Sequence, residues 1–421
     1  MAPSARKPAA CCWKPTPTGR SKLVPSLDAE VIVVGGGPVG LTLAAALGAQ
    51  GIATLVLEGL PELPEDLRGS TFHPATLDML EPLGVVEPML ARGVRVPNYQ
   101  VRDRRSREII ADFDFSLLRD DTRHPYRLQC EQHKLSALLL ERIARTASAE
   151  VRFANRYLSH THHDDTIQVT VRTPQGECSL SAMWLVGADG IGSAVRRTAE
   201  IAFEGFTYPE KFLSVSTPYD FRSAIPNLAL VTYLADPEEW CLLLRAPELW
   251  RVMFPIPPDE PDSTTLSDAA VERRLQGLHP RPQPYEVAHR TLYPVQQRVA
   301  ASFRSGRVCL AGDAAHANNP LGGMGLNSGI HDAFALSDAL ARVLHDGAAP
   351  SLLDDYSRHR RRIALDHINA QAARNKRLLE ERDPAARARV RAELTATAAD
   401  PRKARDYLLR ASLIASLREQ H

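Results

Sequence analysis

Three stretches of this chain carry residue types at spacings that could bind a ligand or stabilise charge. In VIVVGGGPVGLTLAAALGAQG, Gly35, Gly37 and Gly40 form G-x-G-x-x-G, with Pro38 and Val39 inside it. Gly35 permits a tight turn, Gly37 lets backbone approach a pyrophosphate, and Gly40 allows close packing of a helix on a strand. The helix start offers free amides and a positive dipole end to phosphates. Glu58, eighteen residues past Gly40, can accept hydrogen bonds from both ribose hydroxyls of an adenosine and would repel a 2′-phosphate. That points to FAD or NAD rather than NADP. The second stretch, LVGADGIGSAVRR, places Asp189 and Gly190 after an apolar run, followed by Ser193 and Arg196. The third, RVCLAGDAAHANNPLGGMGLNSGIHDAFAL, carries Gly312, Asp313 and Pro320, then Gly323, Met324, Gly325, Leu326 and Asn327 opening a helix. Asp313 at a strand end can bond a polyol such as a ribityl chain. The glycine-rich helix start can aim amide N–H groups at negative charge developing on a flavin ring.

Such residues need a scaffold. AEVIVVG and ATLVLEG are short β-branched runs suited to buried parallel strands, with PVGLTLAAALGAQG as the helix between them and Gly51 as its stop. HPATLDMLEPLGV and EQHKLSALLLERIARTA read as helices, and YQVRDRRSREIIADFDF as a hairpin. VRFANRYLSH and TIQVTVRTPQGECSLSAMWLVGADG alternate like a meander turning at Pro174-Gln175-Gly176. Between about Phe206 and Gln297 short apolar strands sit among prolines, which suggests an antiparallel sheet. From about Asn327 onward the chain reads mainly as helix, broken at Pro384 and Pro401. The expected fold class is α/β: a three-layer Rossmann-like FAD-binding fold, an inserted antiparallel-sheet substrate domain and C-terminal helices. The expected division is a discontinuous FAD-binding domain (28–97, 126–205, 298–350), a substrate sheet (98–125, 206–297), a C-terminal helical region (351–421) and a disordered extension (1–27).

Composition narrows the class. With 421 residues, 44% hydrophobic and 24% charged, the chain can bury a large core. A net charge of +1 argues against a general nucleic-acid or membrane-surface binder. No apolar run approaches the roughly 18 residues of a membrane helix. The six cysteines (Cys11, Cys12, Cys130, Cys178, Cys241, Cys309) show neither metal-type spacing nor a secretory framework, so a reducing cytoplasm is expected.

The three motifs, in this order and spacing, resemble the class A flavoprotein monooxygenases, single-component aromatic hydroxylases typified by p-hydroxybenzoate hydroxylase. The resemblance covers about Asp28 to Arg362. It implies that Gly35, Gly37, Gly40 and Glu58 hold the adenosine half of FAD. Arg68 and Gln132 match further FAD contacts, Asp189 matches the motif tied to the pyrophosphate and to NAD(P)H use, and Asp313 matches the ribityl ligand. Pro320 through Asn327 would lie along the isoalloxazine, with Pro320 facing the substrate. The implied reaction uses NADH or NADPH and O2 to hydroxylate a small phenolic or aromatic-acid substrate through a flavin hydroperoxide. Arg245 and Arg251, in WCLLLRAPELWRVMFPIP, match the positions of two arginines of that family. Arg245 is thereby expected to clamp a substrate carboxylate, since guanidinium binds carboxylate bidentately.

Other readings stay open. The same flavin fold supports epoxidases, oxidases and halogenases, although the W-x-W-x-I-P signature of halogenases is absent. A flavin-binding protein without turnover is the reading from another class. SHTHHDDT (His160, His162, His163, Asp164, Asp165) reads as a hairpin turn rather than a metal site. His316 reads as a packing or hydrogen-bonding residue, and RHRRR (Arg358 to Arg362) as a solvated helix face. Tyr219, Tyr233, His289 and Tyr293 are the general-base candidates. The terminal helices could pack on the FAD domain or form a homodimer.

Overall fold

The computed structural model describes residues 27–65 and 69–418. The expectations for residues 1–26, for Cys11 and Cys12 and for Arg68 lie outside the described residues.

Buried apolar runs set the first layer. AEVIVV and TLVL are almost wholly buried, and each lies parallel to its neighbours, as two-sided burial demands. Among the described residues the first sheet has eight strands, with the path Arg304–Ser305, Val308–Leu310, Gly176–Gly187, Ala29–Val34, Thr54–Leu57 and Ala149–Arg152. Two further strands, Arg156–His162 and Ile167–Thr173, extend the long strand Gly176–Gly187 as a meander. Helix Pro38–Ala49 packs between this sheet and helix Met324–Leu344.

The second sheet also has eight described strands. It runs from His316–Ala317 through His289–Ala300, Phe203–Thr217, Trp250–Ile256, Cys241–Arg245 and Val231–Ala235 to the hairpin Asn98–Asp103/Ile109–Asp114. Every pairing in it is antiparallel except that of Val231–Ala235 with Asn98–Asp103. A separate three-stranded antiparallel sheet is formed by Thr71–Phe72, Arg127–Gln129 and Val94–Val96. The fold class is the expected α/β type, with parallel and antiparallel sheets and helices at the C-terminal end.

One expectation is corrected here. The RHRRR run is not a uniformly solvated face. Helix Leu352–Ile363 turns Arg360 inward, where its side chain is 1% exposed and meets Asp332 at 2.6 Å. Residues 358 and 362 stay outside, since 3.6 residues per turn put alternate arginines on opposite faces. No helix among the described residues is long and apolar enough to cross a membrane. Likewise, no group of three or more His, Cys, Asp or Glu among them is arranged to hold a metal ion.

Candidate active site

A cavity of about 970 Å³ runs between the two large sheets. That lies at the upper end of the roughly 300–1,000 Å³ typical of small-molecule sites. At one end, Val34 to Val39 form its wall where strand becomes helix. Gly35 sits at φ +110°, and a Cβ there would lie 2.4 Å from the Ala188 carbonyl oxygen. A side chain is thus excluded both by conformation and by space. At Gly37 an added Cβ would meet nothing within 4 Å, so bare backbone faces open room. Glu58 closes this end. Its Oε2 accepts from the Gly36 N–H at 2.7 Å and its Oε1 from the Leu60 N–H at 2.8 Å. A carboxylate has about four lone-pair sites, so two remain for a ligand's hydroxyls.

Asp189 lines the cavity, but its carboxylate is engaged locally. It accepts from Ser193 Oγ at 2.5 Å and from the Ala194 and Val195 N–H groups at 2.7 and 3.2 Å. It thereby orders the start of the short helix Ala194–Thr198. The backbone of Gly190 and Gly192, where an added Cβ would meet nothing within 4 Å, faces the cavity beside it. Further along the wall come Gln132, the exposed Asp313, Asn318, Pro320 and Gly322 to Leu326.

The far end is built by the second sheet, and strand register makes it regular. Val231, Leu244, Arg251, Ser216 and His289 are successive cross-strand partners in one row. Tyr233, Leu242, Met253, Ser214 and Thr291 form the next row on the same face. All ten line the cavity. Arg251 is 3.5 Å from Glu131, which also pairs with Lys134 at 2.9 Å. Burial acts to raise the Glu131 pKa, but the Lys134 and Arg251 cations and its hydrogen bonds hold it below the usual carboxylate value.

This register corrects the expectation for Arg245. Arg245 pairs with Trp250, which pairs with Thr217, the row next to that of Leu244, Arg251 and Ser216 and one residue out of phase with both cavity-facing rows. Period-two alternation sends that row to the opposite face. There the fully buried Trp250 packs in another apolar cluster. Arg245 does not line the cavity; Arg251 does. Among the general-base candidates, Tyr233, His289 and Tyr293 line it, whereas Tyr219 packs against Phe221 and Tyr285 in that other cluster. Tyr293 Oη donates to Met253 Sδ at 3.6 Å, and a His289 ring nitrogen is 2.6 Å from Thr291 Oγ1.

Three expected ligand residues act from behind the wall instead. Gly40 packs so closely that an added Cβ would be 2.1 Å from the Gly35 carbonyl oxygen. Gly312, at φ +63°, donates its N–H to Asp332 Oδ2 at 3.0 Å. Asn327 is fully buried: its amide bonds the Thr71 and Gly323 carbonyls at 2.8 and 2.6 Å and accepts from the His73 N–H at 2.8 Å. His316 is buried and bonded to Asp332 at 2.7 Å. Sequence reading missed Arg127, a buried cation lying over the Tyr99 and Phe115 rings at 4.7 and 5.2 Å while lining the cavity. It also missed His73; the only local signal was its place before Pro74 at a helix start.

The wall fits FAD. Bare glycine backbone borders open space at Gly37, Gly190 and Gly192, and the buried Asn318 Oδ1 has no hydrogen-bond partner within the protein. The family described as FAD binding domain matches residues 28–371. The chain belongs to this family. Within the FAD-binding family it is 35% identical over 388 residues to para-nitrophenol 4-monooxygenase of Pseudomonas sp. strain WBC-3, covering 90% of this chain and 94% of that enzyme. It is 33% identical over 362 residues to 6-hydroxy-3-succinoylpyridine 3-monooxygenase of Pseudomonas putida strain S16, covering 85% and 91%. The crystal structure of p-nitrophenol 4-monooxygenase from Pseudomonas putida DLL-E4 superposes with a TM-score of 0.86 at 33% identity, covering 92% of this chain and 98% of that one. The resemblance to class A flavoprotein monooxygenases holds, and the chain is an FAD-dependent aromatic hydroxylase.

Proposed function

We propose that this enzyme uses NADH or NADPH and O2 to oxygenate a hydroxylated six-membered aromatic ring at the carbon para to its hydroxyl. The observation that carries the reading is the continuity of the cavity. One space joins the glycine wall at Gly35–Val39 to the two-row sheet face, with the Pro320–Leu326 turn between them. The names of two relatives support the position: 4-monooxygenase acting on a phenol, and 3-monooxygenase acting on a 6-hydroxypyridine, both para relations.

When bound, FAD supplies the hydride acceptance and oxygen transfer that side chains lack. The chain's residues do the rest. Gly35 to Val39 and Glu58 would hold the adenosine half, and Asp313 the ribityl portion. Pro320 and Gly322 to Leu326, which line the cavity, would border the ring system. Val231, Leu242, Leu244 and Met253 press on the substrate ring and exclude water, while Ser214, Ser216 and Thr291 orient its polar substituents. Arg251 and Arg127 give this end a positive field that favours the phenolate, the form in which the ring is electron-rich. His289, bonded to Thr291 on the cavity wall, is the candidate to take the phenolic proton.

The test is a screen of phenols for stimulated NAD(P)H oxidation, with product mass, released anion and peroxide measured together. The para carbon of each phenol bears either hydrogen, which hydroxyl replaces, or a leaving group such as nitro, which departs as its anion. A product carrying one new oxygen para to the hydroxyl is the expected result. Peroxide as the sole product with every phenol would overturn the reading.

A further inference from the structure

The turn Leu321–Gly323 is pinned by side chains from three different parts of the chain. Asn375 Nδ2, on helix Ala370–Glu380, donates to the Leu321 carbonyl at 3.2 Å. His73 Nε2 lies 2.8 Å from the Gly322 carbonyl. Asn327 Nδ2 donates to the Gly323 carbonyl at 2.6 Å. Three consecutive carbonyls are therefore held on the protein side of the turn.

The His73 tautomer follows from chemistry. A carbonyl only accepts, so Nε2 carries the proton and Nδ1 is bare. Nδ1 is buried without a hydrogen-bond partner. The ring stays neutral because burial, and then the Arg127 cation, push its pKa well below the usual histidine value.

In a trans peptide the C=O and the following N–H point in opposite directions. Holding the carbonyls of 321, 322 and 323 inward turns the amides of 322, 323 and 324 outward. The Gly323 N–H goes to the Pro320 carbonyl at 3.0 Å and closes the turn. By the same geometry those of Gly322 and Met324, both cavity-lining residues, are turned away from the pinned carbonyls. The turn requires left-handed backbone at Gly322 (φ +102°) and Gly323 (φ +68°), the latter capping the 21-residue helix Met324–Leu344. Glycine adopts such angles freely, but in isolation it adopts many others too, so outside contacts must select this one.

We propose that His73 and Asn375, with Asn327, are positioning residues that set the direction of the Gly322 and Met324 amides and thereby tune how strongly the site stabilises negative charge on a bound flavin ring. The inference rests on FAD occupying this cavity. His73 touches neither cofactor nor substrate; it acts through the Gly322 carbonyl.

The experiment uses the purified holoenzyme and its variants H73L, H73Q and N375A. The readouts are the flavin midpoint potential, from dye-referenced reductive titration, and the visible absorption and circular dichroism of bound flavin. Leucine removes the donor at 73, whereas glutamine can place an N–H near the position of Nε2. H73L is expected to favour the oxidised over the reduced flavin about tenfold more than wild type does, a drop of about 30 mV for a two-electron couple. N375A is expected to shift in the same direction by less, and H73Q to return most of the way to wild type. An unchanged potential and spectrum in both H73L and N375A overturns the proposal, as does an H73Q shift equal to that of H73L. If H73L fails to fold, N375A and H73Q decide the matter. A wild-type protein that takes up no FAD refutes the cofactor reading instead, so the two failures are told apart.

Discussion

Arg360 and Asp332 form an ion pair at 2.6 Å in which the side chains are 1% and 0% exposed. Asp332 is the hub: besides Arg360 it accepts from His316 at 2.7 Å and from the Gly312 N–H at 3.0 Å. A helix near the C-terminal end is thus tied to the turn that presents Asp313. Burial alone would raise the Asp332 pKa, but Arg360 and His316 hold it at about 2. Truncating Arg360 leaves that charge buried with weaker compensation. R360M is expected to lose about 3–5 kcal/mol of unfolding free energy. Urea denaturation of the variant measures it, and a loss below about 1 kcal/mol would show that the pair is dispensable.

The second prediction separates two arginines. Arg251 lines the cavity and Arg245 belongs to the row facing the other way. R245A is expected to leave the substrate KM within about twofold of wild type. R251A removes a cation close to the ring and is expected to raise KM at least tenfold, about 1.4 kcal/mol of binding. Steady-state kinetics with the best phenol from the screen distinguishes them. The reverse pattern would mean that Arg245, not Arg251, meets the substrate.

That pair also shows what was legible in the sequence. The three glycine motifs could be read because each is local: a turn, a helix start and a buried strand lie within a few residues of one another. The inserted sheet was legible from its short apolar runs, but not which side of each strand faces the ligand. That parity comes from pairing between residues far apart, such as Ser216 with Arg251 and His289. For the same reason Arg360 read as a solvent-facing arginine and Asn327 as a ligand. Nothing near either in the chain reveals that Asp332, or Thr71 with His73, waits on the buried side.

Acidification should destabilise the fold through a histidine. His331 is 1% exposed and a ring nitrogen lies 3.1 Å from Thr76 Oγ1. Burial, and then the Arg360 cation, lower its pKa to about 3. The unfolded chain binds that proton near pH 6.5 and the folded chain does not, so stability is full above pH 6.5 and falls as pH drops toward 3. At pH 5 the loss from this residue is about 2 kcal/mol. The pH dependence of unfolding free energy between 6.5 and 5 should be shallower in H331N, by about 1.4 kcal/mol per pH unit. Identical slopes would rule out this group as the source.

Glu58 gives a test of the adenosine end. Its two oxygens already hold the Gly36 and Leu60 amides, at 2.7 and 2.8 Å. Removing the carboxylate frees that turn and deletes an acceptor for the ribose. A hydrogen bond to a charged group contributes about 1.5–3 kcal/mol, so E58A should weaken FAD binding roughly 10- to 100-fold. Fluorescence titration of the apoprotein with FAD measures this, and unaltered affinity would place the adenosine elsewhere.

Two glycines with a single residue between them should fail in opposite ways. At Gly35 an added methyl meets the Ala188 carbonyl oxygen at 2.4 Å while the backbone sits at φ +110°. G35A therefore strains the fold itself, and its apoprotein should lose at least about 1–3 kcal/mol of stability. At Gly37 the methyl meets nothing within 4 Å and the backbone is extended, at φ −73° and ψ 178°. The G37A apoprotein should fold as well as wild type, within about 0.5 kcal/mol. The only thing its methyl can obstruct is whatever fills the cavity, so FAD binding should fall sharply while apoprotein stability does not. Thermal unfolding of the apoproteins beside FAD titrations separates the two. A G37A variant that binds FAD as tightly as wild type would mean that the pyrophosphate does not approach the chain at this residue.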